Sequence, residues 1–131
     1  MRRLPSFLLS QFHHRVKDGR LPQLPSPDEM CRDYMPDFYI RHYTDEGRLV
    51  IQHWLRSEVI RDDLSVFLAR HFDLTAEQEE RIQTAATKTT LSYEHDTSAH
   101  FAAHHLAQMY ATNPLWAEME RQVYGDTPAP V

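Results

Sequence analysis

The sequence predicts an α+β fold that is mostly helical, with helices packed around one β-hairpin. Three observations carry that expectation. Apolar residues recur at helical spacing over most of the chain. Two capping boxes, Ser26–Pro27–Asp28–Glu29 and Thr75–Ala76–Glu77–Gln78, and an Asn113–Pro114 pair mark helix starts. β-branched and aromatic residues flank one turn, Thr44–Asp45–Glu46–Gly47, whose glycine suits a left-handed backbone.

Taken in order, the first helix is expected from about Ser6 to Asp18, with Leu8, Phe12 and Val16 on one face and Gly19 as its stop. Leu21 to Pro25 reads as a stiff connector. The Ser26 box opens a short helix to about Tyr34, which Pro36 ends. From Phe38 to Arg56 the pattern is that of two strands around the Gly47 turn. Leu49, Ile51, His53 and Leu55 share one face, and Val50, Gln52, Trp54 and Arg56 the other. Both faces are largely apolar, which predicts a strand covered on both sides.

Ile60, Leu64, Phe67 and Leu68 then recur at helical spacing, with Asp62 and Asp63 near the favourable N-terminal end. The Thr75 box opens a helix that fades around Ala86, and Lys88 to Asp96 reads as a loop. Thr97 or Ser98 can cap a helix through Tyr110, with Ala102, Leu106, Met109 and Tyr110 as its apolar stripe. Asn113–Pro114 restarts the chain as a last helix with Leu115, Met119 and Val123 inward and Gly125 as terminator.

A chain of 131 residues suits one hydrophobic core, so residues 1–126 are expected to form a single domain and 127–131 a loose tail. The lone Cys31 cannot pair within the chain, which fits a reducing, cytoplasmic setting and excludes a Cys-rich zinc module. Pro5 interrupts the short apolar run after Arg2 and Arg3, so no targeting segment is read, and no run is long enough to cross a bilayer. The net charge is −5, yet residues 1–20 set five basic side chains against Asp18 alone. A small basic end suits a compact anion such as phosphate better than a nucleic-acid duplex, which calls for basic charge along a whole face. Arg15, Lys17 and Arg20 equally complement the C-terminal dipole of the first helix.

Two stretches resemble the sulfotransferase family, whose members move a sulfuryl group from phosphoadenosine phosphosulfate to an acceptor hydroxyl or amine. The run from Asp45 to Leu64 is similar to the family's glycine turn, apolar strand, Arg-x-Glu and closing Asp-Leu. Asn113 to Gly125 is similar to the helix and closing Tyr-Gly of bacterial and carbohydrate members. With the chain from Tyr93 onward, the likeness covers roughly the last two thirds of the sequence. It implies the C-terminal part of the α/β, P-loop-like sulfotransferase fold, phosphoadenosine phosphosulfate as donor, and a small-molecule or carbohydrate acceptor. In that family an arginine and, eight residues later, a helix-opening serine followed by an aromatic hold the donor 3′-phosphate. Arg2, Ser10 and Phe12 have that spacing, although the family's proline is displaced here to Pro5. A guanidinium fork and a hydroxyl both suit phosphate oxygens. The family's lysine-bearing loop for the 5′-phosphosulfate has no counterpart before Arg2. Sulfuryl transfer depends on positioning and charge stabilisation, so the resemblance implies a chain not competent alone: a truncated product, a misassigned start or a domain kept for another purpose.

Two rival readings come from the residues themselves. Among nine histidines, His100 and His104 stand four apart on the expected helix, with His95 or Asp96 as a third metal ligand, but Phe101 occupies the position where a zinc-hydrolase motif has glutamate. The adjacent His95–Asp96 pair also fits a turn or helix cap. The other rival is a non-catalytic interaction protein that dimerises through an uncovered hairpin, with Trp54, Trp116, Tyr39, Tyr43 and Tyr110 as an aromatic patch.

Overall fold

The computed structural model describes residues 1–86 and 93–125, so the expected tail and the middle of the Lys88–Asp96 loop lie outside the described residues. The chain contacts cluster into two units, residues 3–52 with 93–125 and residues 1–2 with 53–86.

In the larger unit, α1 (Leu4–Lys17) begins two residues earlier than the spacing predicts, because Pro5 fits the first turn, where its missing N–H costs nothing. Its buried flank is Leu4, Leu8, Leu9, Ser10 and Phe12. Gly19, at φ 71°, turns the chain so that the Arg20 and Leu21 N–H groups both reach the Arg15 carbonyl. The Ser26 box forms as expected and opens α2 (Pro27–Asp33), with the Glu29 carboxylate accepting from Ser26 N at 2.8 Å. Both α1 and α2 pack on α6 (Ala103–Thr112), which also packs on α7 (Pro114–Tyr124). Leu4, Leu8, Leu9, Met30, Met109 and Met119 form the driest part of this helical core.

The predicted mixture of helices with a single hairpin is present, but the hairpin is short. Asp37–Ile40 form α3, and Arg41–Tyr43 continue it as a 3-10 turn. The strands are β1 (Thr44–Asp45) and β2 (Arg48–Leu49), antiparallel, with Thr44 opposite Leu49 and Asp45 opposite Arg48. Glu46 and Gly47 carry φ of 46° and 78°, the paired left-handed conformation of a two-residue hairpin loop.

Bonds at residue 37 explain the loss of the first expected strand. The Asp37 N–H donates to Asn113 Oδ1 at 3.1 Å, and its carboxylate accepts from Leu115 N at 2.8 Å and Trp116 N at 2.7 Å. Asp37 therefore caps α7 from outside its own sequence, where Asn113 was expected to do so, and α3 is the turn that holds it there. With that segment helical, the hairpin ladder does not extend past Val50 N to Tyr43 O at 2.9 Å, and the far end of the stretch meets the chain start instead, the Met1 amino group donating to Leu55 O at 2.5 Å and Ser57 N to Met1 O at 2.6 Å. The strand covered on both faces is not formed, and Val50 is 55 % exposed.

A second carboxylate works in the same way. Glu120 is fully buried on α7 and accepts from Leu4 N at the start of α1 and from the Tyr110 hydroxyl, while Arg3 lies 3.7 Å from it. The helix expected from Thr97 begins instead at Ala103. Asp96 Oδ1 accepts from Ser98 N at 2.9 Å and so caps only a short 3-10 turn, Thr97–Ala99. The inward face of α7 is Trp116, Met119 and Glu120, one step around the helix from the predicted stripe.

The smaller unit contains α4 (Ile60–His71) packed on α5 (Ala76–Thr84). The Thr75 box forms as predicted. Arg56 grips Asp63 through its backbone N–H and both ends of its guanidinium, and this holds the Asp63 carboxyl at about 2. Ile60 and Leu64 line a cleft with Ile82 of α5, Phe67 meets His53 and His71, and these three apolar residues of α4 and Leu68 are only half-buried; neither helix has a fully buried side chain.

Candidate functional site

The two residues implied for a donor phosphate fall in different units. Ser10 lies on the buried flank of α1, 7 % exposed, and belongs to the larger unit. Arg2 precedes α1, is exposed and belongs to the smaller unit.

The histidines group differently from their sequence spacing. His100 ends the 3-10 turn, so it and His104 do not share a helix face. His100 Nε2 lies 3.0 Å from the Glu94 carbonyl, which can only accept, so that nitrogen carries a proton. His95 packs on Tyr93, whose other contact is His13, stacked at 4.0 Å between centroids. His13 Nε2 is buried without a hydrogen-bond partner. Burial first, then the nearby His100 and His95, holds the His13 pKa below its ordinary value.

His104 and His105 instead meet Asp28 of α2 at the first turn of α6. Asp28 Oδ1 lies 3.0 Å from His105 Nε2 and 3.9 Å from His104 Nε2. The three residues offer donor atoms that all lie within 4.8 Å of one another. His105 is buried against Phe101, and its Nδ1 accepts from Ala102 N at 3.0 Å, an imidazole version of the capping box. That bond fixes the neutral tautomer: the ring proton sits on Nε2 and points at Asp28. Cys31 is close, its Sγ 3.7 Å from the His105 carbonyl, but burial pushes its thiol up to about 11, so it remains protonated. The sequence pattern did not single out Asp28 or His105. The available signal was His105 standing three places after Ala102, the spacing of a capping partner.

The other unusual feature is an inverted helical turn. In the continuous segment formed by α3 and its 3-10 extension, Ile40 and Asp37 point inward, 4 % exposed each. Phe38, Tyr39 and Tyr43 stand on the outer side and are 64, 47 and 53 % exposed, and Met35, just before the helix, is 51 % exposed. Val50, bonded to Tyr43 through the backbone, extends the patch. Of the five aromatics predicted for an exposed patch, Tyr39 and Tyr43 belong to it, whereas Trp116 is buried, Trp54 is half-buried and Tyr110 is half-buried beside Glu120. Around it lie Arg41, Asp45, Glu46 and Arg48, all exposed.

Among the described residues no helix is long and apolar enough to cross a membrane. Comparison with family models, curated proteins and solved structures finds no match.

Proposed function

We propose that this chain is a non-catalytic interaction protein that associates with a second copy of itself through α3, its 3-10 extension and the hairpin. The observation that carries the reading is the outward apolar stripe from Met35 to Tyr43, where a helix of a solitary domain has its polar face. With Val50, these side chains present on the order of 500 Å² of apolar surface, at the upper end of what a monomer leaves uncovered. That area is a substantial part of the roughly 800 Å² per partner of a standard interface. Charge argues for a like partner. Arg41 and Arg48 stand beside Asp45 and Glu46, so a two-fold arrangement sets each basic pair against the other copy's acidic pair.

Light scattering tests this. The wild-type mass rises with concentration from one chain to two, and Phe38→Glu with Val50→Glu holds it at one. A wild type that stays monomeric to high micromolar concentration contradicts the reading. The transfer-enzyme alternative rests on the resemblance of the segments from Asp45 to Leu64 and Asn113 to Gly125. It expects adenosine 3′,5′-bisphosphate to raise the melting temperature of wild type but not of Arg2→Ala with Ser10→Ala; self-association without donor binding expects no rise.

A further inference from the structure

We propose that Asp28, His104 and His105 form a binding site for a divalent transition-metal ion of the zinc and cobalt class, with one coordination position left to solvent. The spacing of the donor atoms carries the inference. In a tetrahedral site with bonds of 2.0–2.1 Å the ligand atoms stand about 3.3 Å apart. The two separations from Asp28 Oδ1, 3.0 and 3.9 Å, bracket that edge, and all three donors lie within 4.8 Å of one another. Small side-chain rotations therefore suffice. Asp28 and His104 are 74 and 70 % exposed, which leaves an entry path, while His105 is held by packing at 11 %. Two imidazoles and one carboxylate suit zinc, cobalt, nickel or copper and disfavour calcium and magnesium, which take all-oxygen shells. The group of donor atoms within 4.8 Å of one another is Asp28, His104 and His105, without the Cys31 thiol.

The site is coupled to the start of α6. A metal-bound imidazole carries its proton on the ring nitrogen away from the ion. For His105 Nε2 to bind, its proton must leave and Nδ1 must gain one through solvent, with no change in the ring's net charge. Nδ1 then ceases to accept from Ala102 N, and the helix loses its cap. Loading is weakened by the loss of one cap, about tenfold in affinity. The Ala102 amide becomes a reporter of occupancy.

The proposal is independent of the association surface and is tested with metal alone. Titration of wild type with Co²⁺, followed by visible absorption and calorimetry, is expected to show one ion per chain. His104→Ala and Asp28→Asn, both at exposed positions that leave the core intact, are each expected to weaken binding about tenfold or more. His100→Ala is expected to leave it unchanged. Saturation with Zn²⁺ should move the Ala102 amide resonance. The proposal is overturned by absence of binding at millimolar Co²⁺, by equal affinity in the Asp28→Asn, His104→Ala double variant, or by an Ala102 resonance that stays in place on saturation.

Discussion

At the scale of single residues, buried acids and one histidine do work that local caps usually do. Asp37 and Glu120 each satisfy helix-start N–H groups of a distant segment, and His105, in the first turn of α6, accepts from the N–H of Ala102 three places before it. Asp37→Ala strips acceptors from Leu115 N and the buried Trp116 N, and is expected to cost about 2–3 kcal/mol in urea unfolding, the penalty for donors left without partners. Asp37→Asn keeps one oxygen and should cost less. His13 gives a pH dependence whose sign follows from its lowered folded value. The unfolded chain binds the His13 proton at about 6.5, so the neutral, buried ring contributes stability above that pH, and the contribution is lost as pH falls toward the folded value. His13→Phe retains the stack on Tyr93 and should flatten the loss of stability between about pH 7 and pH 5 relative to wild type. An equal slope in both proteins would assign that dependence to other groups. The partnerships of Asp37 and Glu120 were not legible in the sequence, since Asp37 and Asn113 are 76 residues apart and the chain order does not say which acid meets which helix.

Elements were more legible where their signals are local. The Ser26 and Thr75 boxes, the Gly19 and Gly125 stops and the Pro114 start all lie where the sequence put them, because each depends on residues within one turn. Elements that needed a distant partner were misread. The first expected strand became α3 through the bonds of Asp37, and among the described residues the second keeps ladder pairing at Arg48 and Leu49 alone. The helix expected at Thr97 begins at Ala103, because Asp96 caps a separate turn and His105 supplies the box for α6. The hairpin loop itself was predicted and is present, and Gly47 tests it cleanly. A Cβ there would touch nothing within 4 Å, so Gly47→Ala reports backbone strain at φ 78° alone. It is expected to lower stability by about 1 kcal/mol and to weaken self-association by disturbing the hairpin. Unchanged association in that variant would remove the hairpin from the interface.

At the scale of the whole molecule, the fold class was readable from periodicity and the outward apolar stripe was not. Met35, Phe38, Tyr39 and Tyr43 have the spacing of a core-facing helix, and the sequence could not disclose that Asp37 and Ile40 take the inner side instead. The same ambiguity applies to the candidate metal site, since His104 and Asp28 meet only because α2 packs on α6. The two units also differ in burial. The smaller has no fully buried side chain on either helix, so its amides should exchange at lower opening free energies than those of α1, α6 and α7. Amide hydrogen exchange at two protein concentrations tests self-association most directly. Pairing through α3 and the hairpin predicts that amides from Phe38 to Val50 slow as concentration rises while those of α5 do not change. Identical exchange of Phe38 to Val50 at both concentrations, in a sample that has become dimeric, would place the interface elsewhere and contradict the proposed function.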